Sequence, residues 1–340
     1  MWLKINPCIL IPTMTSVLYI GGSGEISTAC VAHSLALGHD VSVFNRGNHP
    51  IEGVRHFAGS IHEPNPYQAL ANTSFDVVCQ FLAFDTSTVE ADLDFFASRC
   101  KQYVFISTAS AYEKPCQHHV ITEQTPLSNP FWDYARKKIA CEDLLISQDQ
   151  LPYTIVRPSH TYRSRLPGAV IDGNHQTWRL LNGKPIIVHG DGQSLWTLTH
   201  AADFARAFCC LFLNDVALGK AFHITDEQAH TWDTLILSSA KVLDVEAELV
   251  HVSSKRLVHH QPLWQGPLLG DKSNSVMFDN RYLKQVIGDW QCEVTLEFGL
   301  QQAATMVLDR LAAGYEPDKN IDQLIDRIIE ENTFRDFGSA

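Results

Sequence analysis

The sequence predicts an α/β protein: a doubly wound domain with a parallel sheet and helices on both faces, joined to a smaller, discontinuous C-terminal region. Three observations carry this. A glycine turn joins an apolar strand to a helix within residues 16–38, a nearly continuous apolar run spans 75–84, and strand, helix, strand order repeats as far as Pro158.

Ser16 to Ile20, SVLYI, is a short β-prone run that leads into Gly21-Gly22-Ser23-Gly24 and the helix-like ISTACVAHSLALG, which ends at Gly38. With a second strand at Asp40 to Phe44 this makes one βαβ unit. Gly21 and Gly24 stand at G-x-x-G spacing at the mouth of the helix, where bare amides and the helix dipole can hold a pyrophosphate. Gly21, Gly22, Ser23, Gly24, Glu25 and Ile26 are therefore the expected contacts of a dinucleotide, with Ser27 where a third glycine often sits. The second strand ends in Asn45-Arg46-Gly47 in place of the acidic residue that accepts hydrogen bonds from an adenosine ribose. An arginine there can pair with a 2′-phosphate, so NADP is favoured over NAD.

Val54 to Ala58 is a third strand, and Phe75 to Phe84, FDVVCQFLAF, is a fourth of the kind found in a sheet covered on both faces. Residues 88–99 read as a helix. Tyr103 to Ile106 is a fifth strand that ends in Ser107-Thr108, and hydroxyls at the carboxyl end of a parallel strand lie where such sheets bind ligands. Asn129 to Glu142, NPFWDYARKKIACE, is a helix, and Tyr153 to Arg157 is a sixth strand capped by Pro158. Beyond it, residues 159–200 are rich in Gly, Pro and polar groups with a brief strand at Ile186 to His189. An amphipathic helix at Ala201 to Leu213, a strand at Ala221 to Thr225, helices at 231–243 and 300–312, and a charged amphipathic tail from Asn320 complete the chain. The organisation expected is an N-terminal extension at 1–15, a dinucleotide-binding domain at 16–165 to which 201–225 return, and a substrate-binding region at 166–200 and 226–340.

Composition narrows the function classes. With 340 residues, 45% of them hydrophobic and 19% charged, the chain has the balance of a globular protein with a large core. A formal charge of −12 argues against nucleic acid and against an anionic membrane surface. The nine cysteines include no C-x-x-C pair and suit neither a disulfide framework nor a thiolate metal site, so a reducing cytoplasm is expected. His118-His119 and His259-His260 lack partners at ligand spacing, and no metal site is expected. Ile9-Leu10-Ile11, between Pro7 and Pro12, is too short for a membrane span or a signal sequence.

Tyr134 and Lys138 lie four residues apart on the 129–142 helix and so share one face. Bringing a tyrosine from a pKa near 10 to about 7 means favouring the phenolate by about 4 kcal/mol, which a lysine a few ångströms away can largely supply. On this reading Tyr134 is a usable acid or base at neutral pH.

With Gly21-Gly22-Ser23-Gly24, Ser107-Thr108 and Tyr134 with Lys138 in this order on these elements, the chain resembles the extended short-chain dehydrogenase/reductases, including the NAD-dependent epimerase/dehydratases. The similarity runs from residue 16 to residue 312, with support from Arg157-Pro158, Gly190-Asp191-Gly192 and the Thr199 to Asp203 stretch. The resemblance implies a Rossmann domain in which Tyr134 is the general acid/base and Lys138 holds the nicotinamide ribose and lowers the tyrosine pKa. It also implies that Thr108, four residues before Tyr112, bonds the reacting oxygen with support from Ser107. Leu82, Ala83 and Pro158 would join the cofactor contacts, and two helices would pair in a homodimer.

Departures from the family pattern bear on the substrate. Where nucleotide-sugar enzymes carry a diphosphate-binding arginine after G-D-G, this chain has Trp196, and that loss weakens binding of a UDP or dTDP group by kilocalories. Lys272 is left as an anion contact, and Ser60 stands where an acidic residue often meets adenine. Phe84, Tyr112, Phe131, Trp132, His160, Trp196 and Trp264 are the expected surroundings of the substrate, suited to a flat, apolar or sugar-like ligand. The leading expectation is an NADP- or NAD-dependent oxidoreductase acting on a carbonyl or secondary alcohol of an uncharged or aromatic small molecule. The alternatives are an epimerase or dehydratase that recycles its own NAD, and a nucleotide-sensing or RNA-associated binding protein.

Overall fold

The computed structural model describes residues 14–48 and 50–337, so the expected N-terminal extension lies, apart from Met14 and Thr15, outside the described residues. Along the chain run β1 (Ser16–Ile20), α1 (Ser27–Ala36), β2 (Asp40–Asn45), β3 (Arg55–Ala58), β4 (Phe75–Gln80), α2 (Thr86–Phe96) and β5 (Cys100–Ile106). Then come β6 (Val120–Ile121), α3 (Asp133–Ser147), β7 (Tyr153–Pro158), β8 (His160–Tyr162), α4 (Gly173–Leu181) and β9 (Ile186–His189). They are followed by β10 (Leu195–Trp196), β11 (Leu198–His200), α5 (Ala201–Cys209) and β12 (Lys220–Ile224).

Seven strands form one sheet in the order β12-β7-β5-β4-β1-β2-β3, every pairing parallel. Strand order reverses between β1 and β4, which opens a crevice at the carboxyl ends of the strands. Successive side chains on a strand point to opposite faces, and in β1 both sets are buried: Val17 and Tyr19 on one side, Leu18 and Ile20 on the other. The first pair packs with Val31 of α1 and Phe204 and Phe208 of α5. The second packs with Val89, Leu93 and Phe96 of α2 and Leu145 of α3. This two-sided cover is why the strands read as continuous apolar runs. α2 also carries the buried Asp92, whose carboxylate accepts from the Tyr67 and Tyr103 hydroxyls and from Gln80 Nε2 at 2.6 Å.

A further core draws on residues from 109 to 328 and holds small two-stranded sheets, among them β10 with His230–Thr231 and β9 with Leu249–Val252. α4, in a stretch read from sequence only as loop and strand, was hidden because its inward face is polar. His175, Gln176, Thr177 and Arg179 are all buried there. Arg179 bonds Asp322 and, at 2.8 Å, Asp326 of the tail helix Lys319–Phe337, so ion pairs replace the apolar period that marks a helix in sequence. Among the described residues no helix is long and apolar enough to cross a membrane.

α3 is pinned to the sheet by buried charge. Arg157 on β7 donates to Glu142 through Nε, at 3.0 Å from Oε1, and through Nη2, and the Ser107 hydroxyl at the end of β5 donates to the same carboxylate. Glu142 is 0% and Arg157 4% exposed. Glu142→Leu strands the guanidinium without a counter-charge and is expected to cost about 3–5 kcal/mol in urea unfolding, with much of the loss recovered by adding Arg157→Leu. A double variant no more stable than the single one would show that the ion pair is not what seats the helix.

Candidate active site

A cleft of about 470 Å³ follows the crevice, lined by Gly21, Ser23 and Gly24, by Asn45 and Arg46 after β2, by Ser60 after β3, and by Leu82 and Phe84 after β4. The turn needs its glycines: Gly21 has φ +91°, and a Cβ there would lie 2.6 Å from Leu82 Cγ. Gly22 packs on Val43 and Ile26 joins the apolar cluster beneath, so these two shape the turn from within. No side chain caps the start of α1; Ser27 gives its hydroxyl to the Gly21 carbonyl at 2.6 Å and accepts from the Gly24 amide at 2.9 Å. Asn45 Oδ1 accepts from the Gly47 amide at 2.8 Å, while Asn45 Nδ2 is buried with no partner. Arg46 is exposed and, among the described residues, makes no ion pair. A glycine turn at a helix start, an Asn45 amide donor without a partner among the described residues, and the exposed Arg46 guanidinium around one cleft fit the phosphate and ribose oxygens of a dinucleotide.

Glu25 departs from expectation. Its carboxylate accepts from the Arg163 amide at 2.7 Å, from the Ser164 amide and from the Ser164 hydroxyl at 2.6 Å. Burial would raise its pKa, but these hydrogen bonds outweigh it and hold the group below the usual carboxylate range. The side chain ties the glycine turn to the loop after β8; it does not face the cleft.

Lys138 and Tyr134 sit on α3 where the cleft ends. Lys138 Nζ donates to the carbonyls of Ala83 and Ile106, each at 2.7 Å, and lies 4.7 Å and 4.8 Å from the ring centroids of Phe84 and Phe105. It is 1% exposed, and burial lowers its pKa to about 8. The Tyr134 ring stands 6.1 Å from Phe84 and 5.0 Å from Trp132. Burial raises the Tyr134 pKa, the neighbouring Thr108 hydroxyl pulls it down and Asp271 adds to the rise. The expected depression by Lys138 is thus not what sets this phenol: the ammonium is drawn onto two carbonyls, and desolvation favours the neutral phenol. Thr108 donates to Ser110 Oγ at 3.1 Å.

Beyond Thr108 a cavity of about 130 Å³ opens, with Pro158, His160, Trp196 and Lys272 on its walls. Trp196 Nε1 donates to His160 Nδ1 at 3.0 Å, and its ring lies 5.2 Å from Trp232. Burial, with a smaller push from Lys272, lowers the His160 pKa to about 3, so the imidazole is neutral. Lys272, itself brought down to about 8 by burial, donates to the Gly168 carbonyl at 2.6 Å.

Sequence reasoning missed Ser110, Lys114 and Asp271, which also line this cavity; Asp271 accepts from Ser110 Oγ at 3.1 Å. Asp271 comes from a π-helical turn, Leu268–Lys272, whose spacing matches neither the helix nor the strand period. Three expected substrate contacts are not among the residues that line this cavity. Tyr112 is fully buried and its hydroxyl accepts from Arg157 Nη1 at 3.2 Å and meets His223 Nδ1 at 3.0 Å, so it buttresses the α3 ion pair. Trp264 belongs to the C-terminal core, and Phe131 packs on Gly270. Trp132 packs on Gly266 beside Tyr134. Ser107 is spent on Glu142. Among the described residues no group of three or more His, Cys, Asp or Glu is placed to hold a metal.

Comparison with known proteins agrees with this geometry. Chloroplast stem-loop binding protein of 41 kDa b, from Arabidopsis thaliana, is 25% identical over 341 residues, spanning 91% of this chain and 83% of the relative. The 2'-dehydrokanamycin reductase of Streptomyces kanamyceticus is 28% identical over 242 residues, 68% of each chain. A UDP-glucose 4-epimerase from Thermotoga maritima, solved with UDP-glucose, shares the fold with a TM-score of 0.69 at 18% identity, covering 87% of this chain and 99% of that one. Residues 17–224 match the family model described as NAD dependent epimerase/dehydratase family, and the chain belongs to that family.

Proposed function

We propose that this chain is an NAD(P)-dependent oxidoreductase of the extended short-chain type, acting on a carbonyl or secondary alcohol of a small, non-nucleotide metabolite with Tyr134 as acid/base. The observation that carries the reading is a junction. The glycine cleft ends at Phe84, the second cavity begins at Thr108, and Tyr134 stands beside both residues.

The nicotinamide would supply or take the hydride when bound. Gly21, Ser23 and Gly24 would hold its pyrophosphate, and Arg46, exposed at the end of β2, supports NADP through its 2′-phosphate. Tyr134, held protonated at neutral pH by burial, is ready to give its proton to a carbonyl oxygen, with Thr108 bonding the same oxygen. A relative named as a reductase supports the reductive direction. Trp196, Asp271 and Lys272 bring residues 166–200 and 226–340 to the cavity, which supports assigning that region to substrate.

A second reading, an RNA-associated binding protein, is favoured by the relative named for stem-loop binding and opposed by the charge of −12. Filter binding with a stem-loop RNA across a salt series separates the two: submicromolar affinity at physiological salt would promote the RNA reading. The epimerase alternative is tested by denaturing the freshly purified protein, since release of oxidised NAD would indicate internal redox chemistry.

On the oxidoreductase reading, Tyr134→Phe is expected to lower turnover by about 10²- to 10⁴-fold with NADPH affinity unchanged, and an undiminished rate would remove Tyr134 from the chemistry. Arg46→Ser is expected to weaken NADPH about tenfold or more while leaving NADH in place, measured by fluorescence titration. Equal losses for both nucleotides would deny Arg46 the 2′-phosphate.

A further inference from the structure

We propose that Phe84 is a positioning residue that acts through Lys138: its ring caps the Lys138 ammonium and has to turn aside before that ammonium reaches a nucleotide in the cleft. The proposal rests on the reading of the cleft as a dinucleotide site.

An ammonium has three donors and no acceptor. Lys138 spends two on the Ala83 and Ile106 carbonyls, at 2.7 Å each, and what surrounds the rest is aromatic. Phe105 and Phe84 lie on it at 4.8 Å and 4.7 Å, near enough for both ring faces to attract the charge. The two rings differ in freedom. Phe105 is on β5, 0% exposed in the core between the sheet and α2 and α3, and is held by packing. Phe84 is on the loop between β4 and α2, 47% exposed, and lines the same cleft as Gly21 and Arg46. Lys138 itself is 1% exposed, so the charge expected to reach a ligand is covered, and the ring on its cleft side is the one free to rotate.

The cap has a physical use. A buried charge without a third donor's partner is costly, and an aromatic face supplies that partner while excluding water. Turning the ring gives up this attraction and bares the third donor towards the cleft. Because Phe84 also stands 6.1 Å from the Tyr134 ring, the same rotation changes the wall of the phenol that carries the chemistry. Bulk and aromatic character at residue 84 therefore control the approach of the nicotinamide half of a dinucleotide and leave the adenosine half, at Gly21 and Arg46, unaffected.

Stopped-flow fluorescence with NADPH and competition with adenosine 2′,5′-bisphosphate test this on the full chain. Phe84→Ala is expected to speed NADPH association about three- to tenfold, Phe84→Leu to fall between the two, and Phe84→Tyr to restore the wild-type rate, with bisphosphate affinity the same in all four proteins. Unchanged NADPH association in Phe84→Ala, or an equal change for the bisphosphate, would overturn the cap. Wild-type protein that binds neither probe would instead overturn the dinucleotide reading on which the proposal rests, and the equilibrium titration shows that result separately.

Discussion

The buried pairing of Glu142 with Arg157 is the constraint on which the candidate site depends. Tyr134 and Lys138 are useful only if their helix stands at a set depth and rotation against the ends of β4 and β5. Glu142, one turn beyond Lys138, is seated by Arg157 from β7 and by Ser107 from β5. A buried ion pair is a poor source of net stability, because desolvation offsets most of its attraction, but it penalises every arrangement in which its partners part. Here that penalty selects one seat for α3. Tyr112 and His223 extend the network behind Arg157, so Tyr112, expected from the sequence beside the substrate, acts one layer further back.

Around this seat the electrostatics run in one direction. Tyr134 and Asp271 are raised, and Lys138, Lys272 and His160 are lowered, with burial the largest cause for each. Low dielectric favours the neutral form of every group it encloses, whatever its sign. The Tyr134 phenol is therefore held in its neutral form. A tyrosinate held by a nearby ammonium, the arrangement that i, i+4 spacing suggests, would need that ammonium turned towards the phenol, and its donors are given to the Ala83 and Ile106 carbonyls.

Much of the glycine cleft was legible in the chain. Gly21, Ser23, Gly24, Asn45, Arg46 and Leu82 meet in one cleft because each lies on or just beyond the end of a strand, and parallel strands bring their carboxyl ends together whatever the side chains. The second cavity was legible only in part. His160 and Trp196 could be named as residue types out of place in a family pattern, whereas Asp271 arrives through a π-helical turn and Ser110 through a short turn after β5, neither of which leaves a periodic trace.

Local order settled the strands, the glycine turn and the Tyr134-Lys138 spacing, because backbone geometry and apolar period act over a few residues. Which way the side chains point was decided by contacts between residues far apart in the chain. Glu25 reaches Ser164, Lys138 reaches Ala83, and Arg179 reaches Asp322. Each is a charged group drawn out of water, and such a group turns to whatever donor or acceptor the fold places within reach. The sequence by itself determined where the cleft and the Tyr134-Lys138 pair would stand, and only the tertiary structure decided what each charge would touch.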